Sequence, residues 1–213
     1  MTPQQPAVTE VLSLLGHPSL GFELLHGEPL YVLALRALEA ALGGEPLVVV
    51  RRPDVARVAA DVTRAGLAAR VVAEGEWWAA VGSGRALLVH DALCPLASVE
   101  FLTSVAGHTG PGSVVAFRPV TDTVKTAVDG AIQGTIDRET LAAVTSPVLV
   151  AAAALDGEPP LGDFARLVGW LRERGPVELV VAPAIARRVD DASAVNLLES
   201  IDELGRRVRP ESS

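Results

Sequence analysis

The chain has 213 residues, 49% of them hydrophobic and 21% charged, enough for one globular domain with a substantial core and too little for two full ones. With 18 Lys and Arg against 26 Asp and Glu, the formal charge of −8 gives no global positive field to draw in nucleic acid or anionic lipid. The longest apolar stretch, Pro147 to Leu155, is far shorter than the ~20 residues of a membrane-spanning helix. The N-terminus has neither the basic region nor the apolar core of a secretory signal, and the single cysteine, Cys94, has no partner for an internal disulfide. The expectation is a cytoplasmic protein. Every basic residue except Lys125 is an arginine.

Short β-branched runs alternate with longer Ala/Leu/Arg/Glu segments, the pattern of βαβ units feeding a mostly parallel sheet with helices on both faces; the class is α/β. Leu30 to Leu42 places its leucines and alanines roughly at helical spacing, and Gly43-Gly44 supplies a left-handed stop. Leu47 to Val50 is a compact buried strand, Pro53 to Ala65 a helix opened by Pro53-Asp54 and closed by Gly66, and Ala69 to Ala73 the next strand. Ala86 to Val89 reads as a strand that stops at His90-Asp91. Ser98 caps a helix that runs to Ala106 and closes on Gly107, and Ser113 to Arg118 is another strand. The pattern then changes: Thr121 to Val128, Asp129-Gly130 and Ala131 to Ile136 carry the signature of a hairpin with a two-residue turn, read as an arm. Leu161 to Arg174 is an amphipathic helix, Val177 to Ala182 a strand, and Asp190 to Leu204 a last helix opened by two acids. Residues 1–205 read as one domain, with the arm at about 119–141 and a frayed tail over 206–213.

Ligands of open α/β sheets gather outside the carboxyl ends of the strands, and Asp91 stands at such an end. A carboxylate there holds Mg²⁺ or orients a phosphate-bearing substrate, or simply caps a turn. His90, with its side chain directed oppositely, reads as a core or turn histidine, and Cys94 as a small buried hydrophobe rather than a nucleophile. Neither a GxGxxG nor a GxxxxGK[ST] pattern is present, and Gly82-Ser83-Gly84-Arg85 is a plain turn. Trp77-Trp78 could stack on a nucleobase, but adjacent tryptophans more often pack a helix edge. In the hairpin, Thr121-Asp122-Thr123 and Lys125 face a strand ending at Asp137-Arg138; this either grips a phosphate or is a solvated arm whose charges protect an edge.

Several motifs, in order, resemble the 2-C-methyl-D-erythritol 4-phosphate cytidylyltransferase (IspD) family. Val89 to Leu96 (VHDALCPL) looks like the family's VHDAARP, Pro119 to Lys125 (PVTDTVK) like PVTDT(I/V)K, and Asp137 to Leu141 (DRETL) like DRxxL. Gly27-Glu28-Pro29-Leu30 resembles its GKPL, and Arg188 to Val195 falls where the family has its KxTxPEDL ending. The resemblance implies a Rossmann-like nucleotidyltransferase fold and a homodimer joined through the hairpin arm. It also implies a Mg²⁺-dependent reaction, in which methylerythritol phosphate attacks the α-phosphorus of CTP and expels diphosphate. It makes Asp91 and Arg188 the catalytic residues, Asp91 also the metal carboxylate, and Thr123, Lys125, Arg138 and Ser146 the substrate-binding set.

The CTP side departs from the pattern. Where the family has a glycine-rich GxGxRMGxxxPK loop, Ala7 to Gly27 has no such glycines, and no lysine or arginine precedes Arg36. Ala73 to Val81 stands in for the cytidine-binding segment without its Arg and Ser, the arginine of HDAARP is Cys94, and Gly162 replaces a threonine beside the retained Asp163. The first reading is therefore an IspD-like protein with a degenerate CTP site, weak or inactive as a cytidylyltransferase, that keeps a phosphosugar or anion pocket. In it Mg²⁺ is needed only if the protein is active. The second is an active cytidylyltransferase that holds CTP through backbone amides near Leu15-Gly16 and arginines from elsewhere. The third is a non-catalytic dimeric interaction protein using the arm and Trp77-Trp78.

Overall fold

The computed structural model describes residues 8–17, 19–81, 84–121, 124–128, 131–138 and 141–208. Thr123, the Asp129-Gly130 turn, Gly82-Ser83 and residues 209–213 lie outside them. The chain begins with β1 (Val8–Ser13), the two-residue strands β2 (Leu24–Leu25) and β3 (Glu28–Pro29), helix α1 (Leu30–Leu42) and β4 (Leu47–Val50). Next come α2 (Val55–Arg64), β5 (Arg70–Ala73), the single turn α3 (Trp77–Ala80), β6 (Ala86–Asp91), α4 (Val99–Ala106) and β7 (Ser113–Pro119). The strands β8 (Val124–Val128) and β9 (Ala131–Ile136) precede β10 (Ala142–Val150), α5 (Phe164–Arg172), β11 (Val177–Val181) and α6 (Ala192–Val208).

Seven strands form one sheet in the order β11-β7-β10-β6-β1-β4-β5. β10 runs antiparallel to its neighbours β6 and β7, and every other pair in this sheet is parallel. Alternate side chains serve opposite faces, as the pleat requires. Leu12, Val48, Val50 and Leu88 pack with Tyr31, Leu35 and Leu38 of α1 and Val58 and Val62 of α2. Val11, Val49, Val89, Val115 and Val148 pack on the other side with Trp77 of α3 and Leu167 and Leu171 of α5. The mostly parallel sheet between helices is the fold class expected from the alternating pattern. Among the described residues, no helix is long and apolar enough to cross a membrane.

Local chemistry sets the helix ends. Gly43 closes α1 at φ 69°, a left-handed conformation that glycine adopts without a Cβ penalty. Ser98 Oγ accepts the Phe101 amide at 3.2 Å and opens α4. The expected helix from Leu161 instead starts at Phe164, because Asp163 Oδ1 accepts the Ala165 and Arg166 amides at 2.9 and 3.1 Å. Leu161 lies outside it, its carbonyl accepting the Ser13 hydroxyl at 2.9 Å across the end of β1. Two core strands had no counterpart among the expected elements. In β1 the acid Glu10 interrupts the apolar pattern. In β10 Pro147 sits where the register shifts between Val144 and Val148, so its missing N–H breaks no regular ladder. β6 also continues through His90 and Asp91 instead of stopping before them, pairing Ser13 with Asp91.

Candidate functional site

A cleft of about 810 Å³ opens at the carboxyl ends of the parallel strands. Gly16, just past β1, lines it together with Arg118 to Thr121 at the end of β7 and Ala142 to Thr145 at the start of β10. Gly162 to Ala165, leading into α5, and Arg187, Arg188 and Asp190, between β11 and α6, complete it. This is where strand ends and a helix start converge in an open α/β sheet, and where ligands of such sheets gather.

Behind the cleft lies Asp91, only 2% exposed. Its Oδ2 accepts Arg188 Nε at 2.9 Å and its Oδ1 accepts the Leu93 amide at 3.0 Å. Arg188 Nη1 in turn donates to Asp190 Oδ1 at 2.6 Å. The guanidinium fills the space before Gly16, where a Cβ would stand 3.1 Å from Arg188 Nη2 and 3.8 Å from Asp91 Oδ1. Burial pushes the Asp91 carboxyl up from the usual range, against the downward pull of Arg188 and the Leu93 amide. Asp91 and Arg188, named from the sequence, thus come together as an ion pair.

Ser146 and Cys94 belong to the core instead of the cleft wall. The Ser146 hydroxyl accepts the Asp91 amide at 2.7 Å and pairs with Nδ1 of His90, all three residues being buried. The hydroxyl has one proton and two lone pairs, so beside the amide it serves Nδ1 as donor or as second acceptor according to the imidazole tautomer. Burial pushes the His90 pKa down to about 4, in keeping with neutrality. His90 is the core histidine its strand position implies. Cys94 Sγ lies 3.3 Å from Thr145 Oγ1, and burial pushes the thiol up to about 12, which makes it unreactive. Trp77 is buried and meets Trp78 edge-to-face at 5.4 Å, the packing role rather than an open stacking platform.

The hairpin residues stand apart from that pair. β8 and β9 pair antiparallel as a separate two-stranded sheet, with Lys125 opposite Thr135. Lys125 is exposed and is not among the residues that line the cleft. Arg138 is also exposed, and its Nη1 donates to the Thr121 carbonyl at 2.7 Å, tying the end of β9 to a residue that does line the cleft. Thr123 lies outside the described residues.

Sequence reasoning missed Arg118 and Arg187. Both are half-buried and line the cleft, and Arg118 Nη1 donates to the Ala184 carbonyl at 3.1 Å. In a chain whose basic residues are arginine at every position but Lys125, neither stands out by type. Their signal was position: one ends a strand beside Pro119, the other adjoins Arg188.

The comparisons bear on this site. A sequence model of the family "IspD: 2-C-methyl-D-erythritol 4-phosphate cytidylyltransferase" matches residues 20–156. The chain belongs to the IspD family. Its relatives include the bifunctional enzyme IspD/IspF of Nitratidesulfovibrio vulgaris, 33% identical over 205 residues, covering 83% of this chain and 51% of that one. The bifunctional enzyme of the same name from Anaeromyxobacter dehalogenans is 36% identical over 137 residues, 58% of this chain and 36% of that one. The chain therefore spans about half the length, or less, of these curated relatives. The 4-diphosphocytidyl-2C-methyl-D-erythritol synthase of Anaerococcus prevotii superimposes with a TM-score of 0.71 at 14% identity, over 93% of this chain and 96% of that one. The 2-C-methyl-D-erythritol 4-phosphate cytidylyltransferase of Thermus thermophilus does so with a TM-score of 0.69 at 23% identity, over 92% and 100%. These structures show a shared IspD fold.

The resemblance to IspD implies Mg²⁺ at Asp91, and the side chains do not fit it. Both Asp91 oxygens are engaged, one by a guanidinium that is itself a cation. Among the described residues, no three His, Cys, Asp or Glu gather as a metal-binding group. Mg²⁺ asks for oxygen ligands in near-octahedral array and keeps waters of its own, which a buried, arginine-paired carboxylate does not offer.

Proposed function

We propose that this IspD-family chain binds a phosphorylated small molecule of the phosphosugar class in its cleft and transfers cytidylyl groups weakly or not at all. The observation that carries this reading is the wall behind β1. Among the described residues of the segment Leu14 to Gly27, only Gly16 lines the cleft, and the whole segment has neither lysine nor arginine. The match to the family's sequence model begins at residue 20, within that segment, and leaves its first half outside the match, which supports the same reading. Cytidylyl transfer is mainly positioning and charge neutralisation around a triphosphate. Two or three missing hydrogen bonds to charged phosphate, each worth about 1.5–3 kcal/mol, cost several orders of magnitude in rate.

The test is formation of CDP-methylerythritol from CTP and methylerythritol phosphate with Mg²⁺, beside an IspD enzyme that has the intact glycine-rich loop. The expected rate is lower by a factor of about a thousand or more. A comparable rate would overturn the reading in favour of an active cytidylyltransferase, which the names and the 33% identity of the bifunctional relatives favour. The proposal includes a homodimer joined through β8 and β9. Light scattering should then give twice the chain mass of 22.1 kDa, and a monomer mass would remove that part.

A further inference from the structure

The charges around the cleft are unevenly satisfied. Asp163 is committed to the first amides of α5. Arg188 lies between Asp91 and Asp190, so its charge is already shared by two carboxylates. Arg118 donates to a carbonyl, which neutralises nothing, and no carboxylate or hydrogen-bond partner of Arg187 is found among the described residues. Two half-buried guanidinium groups thus line one cleft without an ion pair to any carboxylate among the described residues. They sit on different elements, Arg118 at the end of β7 and Arg187 in the connection between β11 and α6. A guanidinium fork matches the oxygens of a phosphate, so two such groups with no carboxylate partner suit a phosphate monoester.

We propose that the cleft takes its phosphorylated ligand without a divalent cation: Arg188 is the resident cation of Asp91, and Arg118 and Arg187 together hold the phosphate. In this arrangement Arg188 is a positioning residue. It neutralises Asp91 and fills the space before Gly16, so that the buried carboxylate repels no incoming anion. A metal ion at Asp91 would have to displace that guanidinium from a carboxylate that is only 2% exposed. The inference rests on the phosphosugar reading above and adds two things to it: independence from metal, and the identity of the phosphate-holding side chains.

The test is calorimetric titration of the purified protein with methylerythritol phosphate, once in EDTA and once with Mg²⁺ in excess, repeated with inorganic phosphate as the bare headgroup. The dissociation constant should agree within about twofold between the two conditions, and Arg118→Ala and Arg187→Ala should each weaken binding about tenfold with melting temperatures kept. Titration with Mn²⁺ alone should show no site in the wild type and a new one in Arg188→Ala, a readout that a merely structural role of Arg188 would not give. A gain of about tenfold or more on adding Mg²⁺ would overturn metal independence while leaving the phosphosugar reading intact. Unchanged affinity in both arginine variants would overturn their assignment. Absence of binding in either buffer would remove the phosphosugar reading and this inference with it.

Discussion

Ser146→Ala is expected to lower folding stability by about 2–4 kcal/mol, because one deletion strips two buried groups of their partner. The Ser146 hydroxyl accepts the Asp91 amide at 2.7 Å and pairs with His90 Nδ1, at a site with 0% exposure. His90 Nε2 already has no hydrogen-bond partner, so the variant would leave the imidazole with neither nitrogen satisfied. The same amide fixes the backbone of the residue that receives Arg188, so phosphosugar affinity should fall along with stability. Denaturant unfolding measures the first effect and calorimetry the second. A loss below about 1 kcal/mol would mean that the hydroxyl is not the principal partner of those groups.

Glu10→Gln is expected to stabilise the protein by about 3 kcal/mol at pH 8 and to make no difference below pH 4.5, the ordinary value for this carboxyl. Glu10 is 8% exposed, its Oε2 has no partner, and its carboxylate lies against Gly44, leaving no room for a Cβ there. Desolvation raises its pKa from 4.5 to about 7. The fold therefore prefers the protonated acid: this contribution is fully present below pH 4.5 and is lost as pH rises through 7. His90 acts in the opposite sense. Its pKa is lowered from 6.5 to about 4, so its contribution is present above 6.5 and lost as pH falls through 4. In the wild type the two slopes oppose each other between pH 4.5 and 6.5, and in Glu10→Gln the His90 slope acts without its counterweight. Unfolding free energies of both proteins across this range would show the divergence. Parallel curves would contradict the assignment of a buried, high-pKa acid to Glu10.

The sequence exposed those elements whose local signals agree with their environment. Leu30 to Leu42 became α1 residue for residue because apolar spacing and Gly43 both point to one helix, and Leu47 to Val50 became β4 because a strand buried on both faces needs no alternation. β1 and β10 stayed hidden because their defining features are tertiary. An acid inside β1 and a proline inside β10 read as interruptions until the sheet supplies a buried niche and a register shift. In the site, Asp91 and Arg188 were legible as positions within motifs, but their ion pair was not, since 97 residues separate them. Ser146 shows the reverse: the motif suggested a ligand contact, and the structure gives its hydroxyl to the backbone and a core histidine. Arg118 and Arg187 belong to none of the matching motifs and emerge only once β7 and the approach to α6 face one cleft.

The claim at the centre is that the anion pocket and the nucleotide site have parted company in this chain. Calorimetric titration with CTP and, separately, with methylerythritol phosphate, both in Mg²⁺, tests it most directly because the two halves of the cleft make opposite demands. Heat from the phosphosugar and none from CTP is the expected result. CTP binding with micromolar affinity would contradict it and would mean that the backbone around Leu15-Gly16, with arginines from elsewhere in the chain, holds a triphosphate without the cationic loop.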